Sequence, residues 1–126
     1  AMGLEQLKKI DKQILKRKKI HNTYSQELSD CVDVPLPLDS FTTSSYYMYH
    51  IQTPNRDKLA SYLREKGIYT TFRYYPLHKV KYFKQYTANL PNTEYIMKNT
   101  VCIPIHQSLT KKQVNYICET IKKFKQ

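Results

Sequence analysis

Glycine is nearly missing from this sequence: Gly3 and Gly67 are the only two in 126 residues. Phosphate-cradling loops of the P-loop and dinucleotide kinds need several glycines at fixed offsets, so neither is available. The three cysteines, Cys31, Cys102 and Cys118, are odd in number and lack C-x-x-C spacing. That argues against a disulfide framework or a zinc site and fits a reducing, cytoplasmic setting. His21, His50, His78 and His106 show no metal-ligand spacing, and no G-x-S-x-G elbow offers a hydrolytic nucleophile. No run approaches the ~20 apolar residues of a membrane span, and no signal peptide is visible. Acids are scarce as well, 10 against 21 Lys and Arg, for a net charge of +11. Such a field attracts anions without choosing among nucleic acid, nucleotides and acidic partners. Most of the excess is lysine on polar helix positions, which reads first as a solvated basic surface.

What is present predicts one globular domain: 40% hydrophobic residues, with 12 Tyr and 4 Phe. Residues 3–29 read as one long helix, with Leu4, Leu7, Ile14, His21, Tyr24 and Leu28 on one face. A linker over 31–45 follows, holding Pro35 and Pro37. The body spans 46–126. Ser45 to Gln52 alternates like a strand, Leu59, Ala60 and Leu63 mark a helix, and Gly67 supplies its left-handed stop. Ile68 to Tyr75 reads as a second strand, ended by Pro76, and Thr100 to Ile105 as a short third. Short helices are expected over 78–86 and 92–98. The last helix is the best marked: Thr110 and Gln113 form a capping box, Leu109 staples against Val114, and Val114, Ile117, Cys118, Ile121 and Phe124 make its stripe. The expected fold class is α+β, a small, mainly antiparallel three-stranded sheet with helices packed on one face.

Chemistry concentrates in one segment, Phe72-Arg73-Tyr74-Tyr75-Pro76-Leu77-His78-Lys79-Val80-Lys81-Tyr82. It places a cation, several aromatics and an imidazole where a strand gives way to a turn, and such ends are free to face a ligand. Arg forks two hydrogen bonds to phosphate or carboxylate, and Tyr stacks on a sugar or base. An equal reading has the tyrosines cover the sheet and His78 cap the next helix. Glu65, Glu94 and Glu119 fall on polar helix faces and read as solvated.

Four ordered motifs resemble the DegT/DnrJ/StrS family of sugar aminotransferases. Ala1-Met2-Gly3-Leu4-Glu5-Gln6-Leu7-Lys8-Lys9-Ile10-Asp11 is similar to its A-x-G-L-x-Q-L-x-K-L-D run. Arg56 through Ile68 resembles its helix-then-G-I segment, Tyr74-Tyr75-Pro76-Leu77-His78 its Y-x-P-L-H motif, and Ile103 to Thr110 its L-P-L-H-x-x-L-T sequence. The resemblance implies the C-terminal small domain of a fold-type I enzyme over residues 1–126, with the large domain that binds pyridoxal phosphate (PLP) lying outside them. It implies a homodimer that moves an amino group onto a keto sugar carried by a nucleoside diphosphate. Surface-polysaccharide or secondary-metabolite sugar biosynthesis is the implied setting. PLP serves the full-length enzyme, and none is expected on this chain alone. The family's catalytic lysine, its cofactor contacts and any metal ligand are assigned to no residue here. On the substrate side His78 and Tyr82 are the candidates, Tyr74 next, with Arg73 standing where many members have His. His106 reads as structural, closing the turn before Thr110. Two other classes remain open: a basic α+β module that binds nucleic acid through exposed tyrosines, and a vestigial or regulatory fragment. The first lacks the alternating basic-Gly-aromatic pattern of an RNA-binding sheet, so no specific nucleic acid is expected, and no membrane.

Overall fold

A computed structural model describes residues 2–72, 74–86 and 88–124. The chain starts with α1 (Met2–Leu7) and α2 (Ile10–Leu28) rather than one unbroken helix. The interruption falls at Lys8 and Lys9, where the Lys9 amide reaches only the Gln6 carbonyl, at 3.0 Å. Lys8, Lys9 and Lys12 crowd like charges there, and Leu4 and Leu7 are exposed, so no packing holds the turn straight. Further along the stripe acts as expected: Tyr24 and Leu28 are buried, joined by Ile20.

Strand β1 (Tyr49–Gln52) is shorter than the alternating run that signals it. Tyr46 adopts φ 48°, a left-handed conformation that turns the chain out of the strand before Tyr49. β1 pairs antiparallel with β2 (Thr100–Ile103), in a register that sets Tyr49 opposite Ile103 and Ile51 opposite Val101. Those four side chains face the core. Pro104 ends β2.

Among the described residues the sheet has two strands, and the expected third, over 68–75, is represented by one isolated bridge, Thr71 to Cys102. The β-forming residues of this stretch do not find the half-buried surface that makes such residues strand formers: Tyr69, Tyr74 and Tyr75 are exposed. On the other side Asp33, inside the linker, makes a second isolated bridge to Gln52.

Helix α3 (Arg56–Glu65) buries Leu59 and Leu63 and stops at Gly67, φ 74°. There the Ile68 amide bonds the Leu63 carbonyl at 2.8 Å and Gly67 bonds Arg64 at 3.0 Å, the paired bonds of a Schellman motif. The helix expected over 78–86 is instead two 3-10 pieces, Leu77–Lys79 and Lys81–Tyr86, separated by the extended backbone of Val80. α4 (Pro91–Asn99) has proline in its first turn and runs directly into β2. α5 (Lys111–Lys122) has the capping box its sequence signals: Thr110 Oγ1 accepts from the Gln113 amide, and Gln113 Oε1 accepts from the Thr110 amide. Its stripe, Val114, Ile117, Cys118 and Ile121, packs with α2, α3 and the inner face of the sheet into one core, with Leu109 and Phe124 at the margin.

Candidate functional site

Residues 71–72 and 74–79 lie along the body without regular sheet structure and are held at successive points. Thr71 is bonded in both directions to Cys102 of β2. Phe72 lies under the Arg56 guanidinium, 5.0 Å from its ring centroid, and Arg56 itself donates to the Thr100 carbonyl at 3.3 Å. The Tyr74 hydroxyl meets the Tyr47 hydroxyl at 3.2 Å. Pro76 is buried. His78 and Lys79 then both meet the carboxylate of Glu94 on α4, His78 Nε2 lying 2.8 Å from Oε1 and Lys79 Nζ paired with Oε2.

His78 therefore does not cap the next helix. Its side chain is only 12% exposed and its ring is held by a carboxylate that sequence reasoning placed in solvent. Nothing local could have signalled this, because 16 residues separate the partners. The hydrogen bond from His78, and after it the one from Lys79, hold the Glu94 carboxyl below its ordinary range. Tyr82 stands 76% exposed, touching Phe83 edge-on at 5.1 Å, and Tyr74 is exposed as well. Arg73 lies outside the described residues. His78 and Tyr74 are thus anchored to the body by Glu94 and Tyr47, whereas Tyr82 is presented to solvent. Tyr47 is the other residue the sequence did not single out.

His106 is exposed, and its carbonyl accepts from the Leu109 amide at 3.1 Å, closing the turn before α5 as expected. It lines a cavity of about 650 Å³ between Gly67–Thr71, the end of β2 and α5. Tyr47, Tyr69, Tyr116, Leu109 and Ile105 make that cavity mainly apolar. It meets residues 71–72 and 74–79 only through Thr71 and, indirectly, through the Tyr47–Tyr74 contact.

Among the described residues, the cysteines and lysines are not set up for covalent chemistry. Burial pushes the Cys118 thiol up to about 11 and raises that of Cys31, so neither is a ready thiolate. Among the described residues no three His, Cys, Asp or Glu gather as metal ligands, and no helix is long and apolar enough to cross a membrane. A lysine that forms a Schiff base reacts when desolvated. Every lysine whose side chain is described is exposed except Lys79, and that one is committed to Glu94. Among the described side chains, no lysine is desolvated and free to hold PLP as a Schiff base.

Two other histidines bear on stability. His21 sits edge-on to Tyr46 and Tyr49, with ring centroids 5.0 and 4.9 Å away. Burial lowers its pKa below 6.5, and burial lowers that of His50 likewise. In acid the unfolded chain takes up protons that these folded imidazoles resist. Their stabilisation is complete above pH 6.5 and is lost as pH falls through the lowered folded values. Glu94, its carboxyl held below 4.5, loses its own contribution only in stronger acid. Thermal melting followed against pH is expected to decline in two stages, the upper one starting near pH 6.5. A His21→Asn/His50→Asn double variant should lack the upper stage; one that keeps it assigns the stage to other groups.

Comparison with known proteins places this geometry. The chain is 37% identical to a dTDP-4-dehydro-2,3,6-trideoxy-D-glucose 4-aminotransferase of Saccharopolyspora spinosa, over 98% of its own length and 33% of that protein's. It is 31% identical to the GDP-perosamine synthase of Escherichia coli O157:H7, over 98% of itself and 35% of that protein. The aminotransferase TlmJ from Streptoalloteichus hindustanus superposes on 95% of the chain with a TM-score of 0.90 at 35% identity, using 34% of its own chain. The chain thus spans about a third of the length of the relatives it matches. The model of the DegT/DnrJ/EryC1/StrS aminotransferases matches residues 1–122, nearly end to end, and the chain belongs to that family.

Proposed function

We propose that this chain is the C-terminal small domain of a PLP-dependent transaminase acting on a nucleotide-linked keto sugar, and that it supplies the substrate side of the cleft. The observation that carries the reading is the end-to-end family match over only about a third of each relative. PLP, the electron sink of transamination, is assigned to a large domain outside these residues, and this chain binds and orients substrate. His78, Tyr82 and Tyr74 are the contacts, in that order, with Arg73 beside them. The dTDP- and GDP-linked sugars named for the relatives set the substrate class, in polysaccharide or secondary-metabolite biosynthesis in the cytoplasm. Exposed Met2, Leu4, Leu7 and Leu15 on α1 and α2 support a neighbouring domain or second subunit against this end of the molecule.

Titrating the 126-residue chain with PLP is the direct test. It is expected to develop neither the yellow colour of lysine-bound cofactor nor transaminase activity. A continuous polypeptide that adds the cofactor-binding domain should show both. Borohydride-sensitive colour on this chain alone would overturn the proposal.

A further inference from the structure

The carboxylate that touches His78 of the Y-x-P-L-H motif and Lys79 just after it belongs to a different element. Glu94 projects from the first turn of α4, where a negative charge suits the helix dipole. α4 continues without a loop into β2, and at their junction the Asn99 carbonyl accepts from the Thr53 amide at 3.0 Å, next to the end of β1. Glu94 is thus carried by the frame of the sheet, whereas His78 and Lys79 lie on a short 3-10 turn. An ionised carboxylate only accepts hydrogen bonds, so the partner atom Nε2 of His78, 2.8 Å away, carries the proton. Its partner Lys79 is neutralised by the other oxygen of the same group.

We infer that Glu94 is a positioning residue for His78: it fixes the imidazole in the Nε2–H form, which leaves Nδ1 of the neutral ring as an acceptor for a sugar hydroxyl. This rests on the reading of His78 as a substrate contact. With Lys79 paired to the same carboxylate, the turn offers a hydroxyl acceptor more than a bare cation, so it reads the sugar rather than the diphosphate.

The tautomer is observable without substrate. Side-chain nitrogen NMR at alkaline pH, where imidazoles are neutral, is expected to show His78 of the 126-residue chain as Nε2–H. Glu94→Gln should keep that form, since its amide oxygen still accepts, while Glu94→Ala should give a mixture of both tautomers. The amide spectrum of α5 verifies that each variant is folded. Calorimetry with dTDP-glucose on the polypeptide that includes the cofactor-binding domain supplies the second readout. Glu94→Ala should weaken binding about tenfold, as expected for an aligned hydrogen bond, and Glu94→Gln at most about threefold. An unchanged tautomer in Glu94→Ala would overturn the positioning role and leave the substrate reading intact. A shifted tautomer with equal affinity in all three proteins would overturn it too, leaving Glu94 as a strut for the turn. Should the wild-type polypeptide bind no dTDP-glucose while His78 is Nε2–H, the substrate reading itself fails, and the inference with it.

Discussion

Replacing Tyr24 by alanine is expected to destabilise the chain by about 3–5 kcal/mol, a large part of what a domain of this size possesses. Tyr24 is fully buried, reaching from α2 across the core with its ring 5.1 Å from that of Tyr49. Its hydroxyl donates at 2.8 Å to the carbonyl of Pro104, the residue that ends β2. One side chain therefore fills the middle of the core and satisfies a carbonyl that has just left the sheet. Burial raises its pKa well above the ordinary tyrosine value, as a phenol without water around it requires. The two roles separate by substitution. Tyr24→Phe keeps the ring and orphans only the Pro104 oxygen, so it should cost about 1–2 kcal/mol. Urea unfolding of the three proteins measures both, and an unchanged slope against denaturant shows that the same cooperative unit is melting. If Tyr24→Phe lost as much as Tyr24→Ala, the hydroxyl rather than the packed ring would hold α2 to the sheet.

The parts of this molecule that were legible in the sequence are those whose signal is local or periodic. α5 carries its own cap and stripe within sixteen residues of chain, and the structure has both, with Leu109 packed at the margin of the core. Gly67 marks a left-handed stop that one residue type accommodates best. The failures share another cause. The stretch expected as a second strand has strand-forming residues, but among the described ones the only pairing with the sheet is the single bridge at Thr71. The first two turns of the long helix have the right spacing, yet Leu4 and Leu7 are exposed rather than packed into the core, and the helix breaks at its lysines. Of the candidate site, the motif gave His78 and Tyr82 by resemblance, while their environments were invisible. Glu94 is paired across 16 residues and Tyr47 across 27, and both pairings depend on how α4 and β1 are placed by the core.

That difference in environment makes the site testable without confusing binding with folding. Tyr82 is 76% exposed and makes only an edge contact with Phe83, so Tyr82→Ala should leave stability within about 0.5 kcal/mol. In the polypeptide that includes the cofactor-binding domain, the same change should raise KM for the nucleotide sugar about fivefold, the worth of one stacked ring face. His78 is the opposite case. His78→Ala removes a held imidazole and should lower kcat/KM about 10- to 100-fold. It should also free the Glu94 carboxyl, whose lowered pKa owes most to His78, to move back toward 4.5. Carboxyl-carbon NMR of Glu94 reports that movement in the 126-residue chain, with no substrate present. A kinetic loss with both signatures assigns His78 to the ligand and to Glu94 together. A Tyr82→Ala enzyme with unaltered KM would remove that ring from the substrate side of the proposed cleft, because so small a structural role leaves little to mask an effect on binding.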